Sequence, residues 1–390
     1  MLENIVPTVE FQMSLLLFVA LAGYFLASLV SQSVVVGEIF VGLLIGPSVL
    51  GLITYTDFVA SVAHIGAIIL LFAIGLEFDL EEIFNLKYSF IALVGVIVPW
   101  ICGFYLAQFF NYSFASSVFV GTALTATSIA ITANVLKEMG KLKTPAAKAI
   151  IGAAVIDDVL GLLALSIAQQ EVHSIFSFSS TALLLLKAAV FIGFGAYIGY
   201  RYFSKALVKI DRSPITKKFP EFAFIFAMMA AFFYAMSAEL IGLSAIVGAF
   251  IAGASLKNTN IKHSRDYKEG AEYLHIIFAS IFFVSLGILV DFHAITANIL
   301  WFLVALTIVA IATKAIGCYI PARLQGMSRK DSAIVGFGMS PRGEVAMIVA
   351  LIGLNGGIIK QDIYISIVMM SLFTAIITPI VLRNWLYKKT

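Results

Sequence analysis

Charged residues are scarce in this chain of 390 residues. Asp, Glu, Lys and Arg together make up 12% of it, whereas 61% of the residues are hydrophobic, and the mean hydropathy is +1.02. Soluble domains carry about 25% charged residues, so this balance excludes a water-soluble protein and indicates a lipid environment. The net charge is only +3, so nucleic acid is not an expected partner.

Cysteine is nearly absent. Cys102 and Cys318 are the two cysteines, and each lies in an apolar stretch where cysteine usually serves as a small hydrophobic side chain. We therefore expect no disulfide, no metal cluster and no resident cofactor. The segment before the first apolar run contains Glu3 and Glu10 but no lysine or arginine, so we do not expect a cleaved signal peptide.

Long apolar runs fill most of the chain. A membrane-spanning helix needs about 20 apolar residues, and the pattern predicts an all-α integral membrane protein of about thirteen such helices, with no residues left for a soluble domain. The predicted spans are residues 12–31, 36–52, 58–76, 88–110, 115–135, 145–168, 180–203, 219–238, 240–256, 271–290, 294–320, 332–354 and 362–385.

Lysine and arginine are almost missing from every second loop. They lie at positions 87, 137–148, 201–218, 257–268, 323–330 and 383–389, whereas the opposite loops contain only Lys360. Cytoplasmic loops collect these residues. The alternation therefore predicts an N-terminus outside and a C-terminus in the cytoplasm.

Three pairs of segments resemble each other in the same order, about 210 residues apart, which suggests an internal repeat. The pairs are Gly42–Gly46 with Gly248–Gly253, Leu71–Leu76 with Phe283–Ile288, and Gly121–Thr127 with Gly336–Arg342. Predicted helices one to six would match helices eight to thirteen. The offset is seven spans, which is an odd number, so the two halves are predicted to be inverted with respect to the membrane.

Ionisable residues in the spans are few. Those near the middle are Asp157, Asp158, Lys314, Arg342 and Glu344, with Glu38 and Lys187 nearer helix ends. Each mid-span charge costs at least about 2.5–3.5 kcal/mol on insertion scales, so each needs a partner or a function.

Asp157 and Asp158 are adjacent in the sixth predicted helix. Neighbouring helical residues point about 100° apart, so one carboxylate can pair with a cation while the other faces a water-filled cavity. Lys314 is the expected counter-ion of one of them; alternatively, its side chain extends to the cytoplasmic interface. Two neighbouring acids in such a place suit competition between protons and a cation.

Two helices are predicted to be interrupted at matching positions of the repeat. Pro341 breaks the twelfth span, where we expect Arg342 and Glu344 to form a structural ion pair. The matching stretch of the fifth span is rich in hydroxyls, which compete with the backbone for hydrogen bonds: Thr122, Thr125, Thr127, Ser128 and Thr132. Crossed breaks would offer free carbonyl oxygens to a cation such as Na⁺.

These residues resemble the cation/proton antiporter superfamily, and within it the NapA-like sodium/proton antiporters that carry an Asp-Asp pair. The matching elements are Ala154–Gly161, Thr125–Ser128, Lys314 and Ser340–Ala346. The resemblance implies the NhaA/NapA-like fold. It also implies that Asp158 binds the ion together with Thr127 and Ser128, and that Asp157 pairs with Lys314.

The resemblance also implies a homodimer divided into scaffold and mobile core. Residues 1–78 and 216–292 would form the scaffold and dimer helices, residues 79–170 and 293–390 the core, and residues 171–215 a linker helix. Members with two aspartates exchange two protons for one sodium, so electrogenic antiport across the plasma membrane is the implied function.

Two alternatives remain open, and a third is not expected. A potassium/proton antiporter would use the same architecture, whereas a sodium-coupled symporter of an organic anion fits the paired acids less well. An intramembrane enzyme is not expected, because an aspartyl protease needs its acids on two helices and a prenyl-type enzyme needs further aspartate clusters.

Overall fold

A computed structural model describes residues 8–78, 86–172, 178–259, 267–294 and 297–388. Its α-helices, in chain order, are α1 Val9–Leu29, α2 Val34–Ile45, α3 Asp57–Gly75, α4 Leu86–Phe109, α5 Phe114–Thr125, α6 Ile129–Glu138, α7 Pro145–Val172, α8 Phe178–Ile198, α9 Ser204–Asp211, α10 Pro214–Lys218, α11 Phe222–Leu240, α12 Ala245–Leu256, α13 Tyr267–Ile288, α14 Ala297–Leu324, α15 Arg329–Gly338, α16 Glu344–Asn355 and α17 Gln361–Val381. Within the described ranges the fold contains no β-strand.

The helices have the length and composition of membrane spans. Among the described residues, ten helical segments are long and apolar enough to cross a bilayer, and the broken pair α5–α6 counts as one of them. Shorter apolar helices occur at α2, α12 and α16. The predicted all-α membrane fold is confirmed, while the count of thirteen spans stays a prediction.

Two predicted spans, 36–52 and 240–256, were too long. Helix α2 stops at Ile45 because Gly46 turns to an extended conformation and is followed by Pro47, which cannot donate a helical hydrogen bond. Helix α12 begins only at Ala245, after Gly242 has adopted a left-handed φ of 89°. Both helices therefore have 12 residues.

The chain forms two compact units. The first comprises residues 1–56, 85–181 and 283–390, and the second comprises residues 57–84 and 182–282. All of the predicted ion-site residues belong to the first unit. The division into scaffold and core helices is a statement about motion and stays a prediction.

Helix contacts repeat between the two halves of the chain. In the first unit α4 packs on α5 and α7, while its repeat partner α14 packs on α15 and α17 in the same way. A Cβ added to Gly42 would lie 2.1 Å from the carbonyl oxygen of Val284. In the second unit, a Cβ at Gly253 would lie 2.2 Å from the carbonyl oxygen of Phe72. Glycine permits these close backbone approaches at the segments that match in sequence.

Candidate ion-binding site

Two interrupted helices meet in the first unit. Residues 126–128 separate α5 from α6, and residues 339–343 separate α15 from α16, without helical structure in either gap. Two hydrogen bonds join the two stretches: Ser128 N–H to Pro341 O (2.9 Å) and Thr127 Oγ1 to Met339 O (3.2 Å). A third, from Thr132 Oγ1 to Gly338 O (2.6 Å), joins the flanking helices α6 and α15. The two breaks that were aligned from sequence are therefore in direct contact.

Gly343 marks how closely the breaks approach each other. A Cβ at this position would lie 2.7 Å from Ser128 Oγ and 2.8 Å from Ser128 Cβ. Real Cβ atoms do not come this close, so only glycine fits here without a shift of the neighbouring chain.

Asp157 and Lys314 form a buried ion pair. Lys314 Nζ lies 2.6 Å from Asp157 Oδ1 and donates a second hydrogen bond to the carbonyl oxygen of Thr125 at 2.8 Å. Both residues have 0% exposure, so the lysine does not extend to the membrane interface. Lys314 thereby connects α7 and α14 to the end of α5.

Asp158 has a different environment from its neighbour. It is partly exposed, whereas Asp157 is fully buried. The difference follows from the rotation of about 100° between successive helical residues. A Cβ at Gly161, one turn further along α7, would lie 3.6 Å from Thr125 Oγ1, so this stretch of α7 lies against the break of the first repeat.

Arg342 occupies the break of the second repeat and is fully buried. Its guanidinium donates to the carbonyl oxygens of Met339 (3.3 Å), Ser340 (3.1 Å) and Ala310 (3.1 Å). Its backbone N–H donates to Thr374 Oγ1 at 3.0 Å. The side chain of Glu344 lies outside the described residues, so the predicted ion pair with Arg342 stays a prediction.

The carbonyl oxygens at the breaks already have protein donors. Lys314 bonds Thr125 O, and the guanidinium of Arg342 bonds Met339 O and Ser340 O. A carbonyl oxygen has two lone pairs, so a cation can still use the second one of Thr125 O or Ser340 O, whereas Met339 O accepts from both Arg342 and Thr127 Oγ1. A carboxylate such as that of Asp158 would be a stronger cation ligand than these carbonyl oxygens, because it carries a formal charge.

The hydroxyl residues form one run in the sequence, but the structure divides them. Thr122 and Thr125 donate back to carbonyls of their own helix, at 2.8 Å and 2.7 Å, while Thr127 and Thr132 donate across to the second break. Thr374, which supports the break from α17, was missed, because hydroxyl residues scattered along an apolar helix give no signal in the sequence.

Comparisons with known proteins agree in one family. The profile of the family described as "Sodium/hydrogen exchanger, transmembrane" matches residues 15–388. Among curated proteins, the Na(+)/H(+)-K(+) antiporter GerN of Bacillus cereus is 36% identical over 375 residues, covering 96% of this chain and 95% of GerN. A Na(+)/H(+) antiporter of Enterococcus hirae is 33% identical over 360 residues, covering 91% and 92%.

Solved structures share the fold. The sodium proton antiporter MjNhaP1 from Methanocaldococcus jannaschii at pH 8 superposes with a TM-score of 0.67 and 17% identity, covering 96% of this chain and 95% of that one. An electron-microscopy structure of the same protein gives a TM-score of 0.73 at 16% identity, covering 96% and 94%.

Proposed function

The chain belongs to the sodium/hydrogen exchanger family, and we propose that it exchanges Na⁺ for protons by binding them in turn at Asp158. One observation carries this assignment: the partly exposed residue Asp158 stands next to an aspartate that is bound to a lysine, on a helix that packs against the contact of two broken helices. Asp157 is fully buried and bound to Lys314, whereas Asp158 is partly exposed, so we assign the exchange of ligands to Asp158.

Exchange follows from competition for one carboxylate. Asp158 accepts either a proton or Na⁺, and a bound Na⁺ takes further oxygen ligands from Thr127 and Ser128. Sodium bound on one side of the membrane is replaced by protons on the other. The inverted repeats support alternating access, because exchanging the conformations of the two halves turns an outward-open protein into an inward-open one.

The moving part is the predicted core of residues 79–170 and 293–390, working against the scaffold of residues 1–78 and 216–292. We propose a homodimer in the plasma membrane, with the N-terminus outside and the C-terminus in the cytoplasm. The distribution of lysine and arginine supports this orientation, and the family of exchangers supports a transporter without enzymatic activity.

The assignment is tested by Asp158→Asn in proteoliposomes loaded at acidic pH, with uptake of radioactive sodium as the readout. We expect uptake to fall to the level of empty liposomes, because asparagine can neither release a proton nor supply a charged ligand. The variant should keep the melting temperature of the wild type in detergent, since Asp158 is partly exposed. Normal exchange by a folded Asp158→Asn protein would refute the role of this residue.

A second candidate is an exchange that also transports potassium. It is favoured by the printed name of GerN, a Na(+)/H(+)-K(+) antiporter. Adding K⁺ or Li⁺ on the side of sodium uptake separates the candidates. Only an ion that is itself transported competes with radioactive sodium and also drives proton movement when it is supplied alone.

A further inference from the structure

A groove between α8 and α11 lies within the second compact unit and takes no part in the proposed ion exchange. It is a cavity of about 310 Å³. Its lining is apolar and aromatic except for Lys187, Ser237 and the hydroxyl of Tyr234, and includes Phe191, Phe194 and Phe233. The helical segment that supplies one wall, Ala182–Asp211, has the smallest buried share of the ten spans, at 17%, so the described part of the chain leaves most of its surface uncovered.

The walls of the groove are fixed by contacts within the unit. The hydroxyl of Tyr234 donates to the carbonyl oxygen of Gly195 at 2.8 Å, which joins α11 to α8. The rings of Phe191 and Tyr234 lie 6.3 Å apart. Ser237 Oγ donates to its own helix at Phe233 O, 2.7 Å away. The polar groups of Tyr234 and Ser237 are therefore engaged, and the charge of Lys187 is left for an occupant.

Lys187 is exposed and lies five residues after the apolar run of α8 begins at Ala182, behind the polar Ser179, Ser180 and Thr181. At 1.5 Å per residue this is about 8 Å along the helix axis, so its side chain can extend to the depth of the lipid headgroups. None of the ion pairs in the described part of the chain involves Lys187.

We propose that this groove binds an anionic phospholipid, with an acyl chain along the aromatic wall and the phosphate at Lys187. The apolar lining fits the chain, and a lone cation at headgroup depth fits the negative charge. A zwitterionic lipid would fill the same space but would present its own positive group beside the lysine. The attraction of one basic residue to an anionic membrane surface corresponds to about fivefold in affinity, and we expect a preference of that size for the anionic lipid.

The binding is measured with a tryptophan placed in the groove. Phe194→Trp is purified in detergent and titrated with lipids that carry brominated chains, either phosphatidylglycerol or phosphatidylcholine. Quenching is read as the difference from the wild type, which contains only the background tryptophans. We expect brominated phosphatidylglycerol to reach half-maximal quenching at about a fivefold lower concentration.

Two pairs of variants separate the charge from the space, each in the Phe194→Trp background. Lys187→Gln should make the two lipids equal, whereas Lys209→Gln, an exposed lysine outside the groove, should leave the preference intact. Gly195→Val, which places bulk against Tyr234 Cε1 at 3.6 Å, should reduce quenching by both lipids. Gly193→Val has nothing within 4 Å of its Cβ and should have no effect.

Three outcomes would overturn the proposal. The first is equal quenching by the two lipids in Phe194→Trp, and the second is a preference that survives Lys187→Gln. The third is a tryptophan that neither lipid quenches at any concentration, which would show that protein, such as a second copy of the chain, covers the groove. Sodium uptake is not used as a readout, so failure here leaves the proposed exchange untouched.

Discussion

Ser128 and Pro341 are joined by a hydrogen bond of 2.9 Å between the backbone N–H of the first and the carbonyl oxygen of the second. The bond connects the non-helical stretches of the two repeats, which are more than 200 positions apart in the chain. Each stretch thereby supplies a partner for a buried backbone group that a broken helix would otherwise leave unpaired. The contact also requires the small residue Gly343 beside Ser128.

Gly343→Ala should separate the two breaks. Its Cβ would lie 2.7 Å from Ser128 Oγ, and overpacking of this kind costs about 1–3 kcal/mol. We expect a lower melting temperature in detergent and a strong loss of sodium uptake, because Ser128 and Thr127 are displaced. Gly193→Ala is the control, since its Cβ meets nothing. Wild-type uptake by Gly343→Ala would show that the breaks tolerate separation.

Replacing one member of the Asp157–Lys314 pair should destabilise the protein strongly, whereas replacing both members should change its stability little. Removing one partner of a buried ion pair costs about 3–5 kcal/mol, because the other charge remains buried, whereas replacing both with apolar residues is often neutral. Lys314→Met should therefore lower the melting temperature strongly, and Asp157→Leu combined with Lys314→Met should recover most of the loss. Equal melting temperatures for the single and double variants would contradict this coupling.

Asp157→Asn should weaken the response of transport to voltage while sodium uptake itself persists. If two protons exchange for one sodium, each cycle moves one net charge, and a membrane potential contributes about 2.3 kcal/mol per 100 mV. The neutral variant leaves Lys314 without its counter-ion. We expect this change to remove the contribution of the membrane potential to transport. Uptake is measured in proteoliposomes with a potassium diffusion potential of either sign. If the response to voltage were unchanged, the Asp157–Lys314 pair would not determine the number of protons exchanged for each sodium ion.

Glu138 should hold the start of α2. Its Oε2 accepts hydrogen bonds from Ser33 Oγ at 2.8 Å and from the backbone N–H of Val34 at 3.1 Å, although it lies more than 100 residues away. Helix α2 has no cap bond from the side chain of Ser33 itself. Loss of a capping side chain costs about 0.5–2 kcal/mol.

In Glu138→Ala we expect faster hydrogen exchange at residues 34–36 and a small fall in melting temperature. Glu221→Ala is the matched control, because Glu221 precedes α11 without making a side-chain cap bond. If exchange at residues 34–36 stays at the wild-type rate, the carboxylate of Glu138 does not stabilise this helix end.

Much of the architecture could be predicted because bilayer insertion depends on local composition. Runs of apolar residues located the helices, and Pro341 together with the hydroxyl-rich run located the two breaks. The ends of α2 and α12 were misplaced, since Leu50, Leu52 and Ile241 are as apolar as helix residues. Hydropathy does not detect the turn at Gly46 or the left-handed φ of Gly242, and these backbone conformations end the helices.

The sequence by itself determined that the chain lies in a membrane, that its halves repeat, and that two adjacent acids and a lysine lie where charge is costly. These properties follow from residue types and their spacing along one helix. The residue pattern left open which acid pairs with Lys314, and the resemblance implied Asp157. The tertiary structure shows the Asp157–Lys314 pair, and it alone shows that Arg342 bonds carbonyl oxygens of α14 and of its own break. Such choices depend on the rotation and approach of helices that are distant in the chain, and a sequence does not encode either one locally.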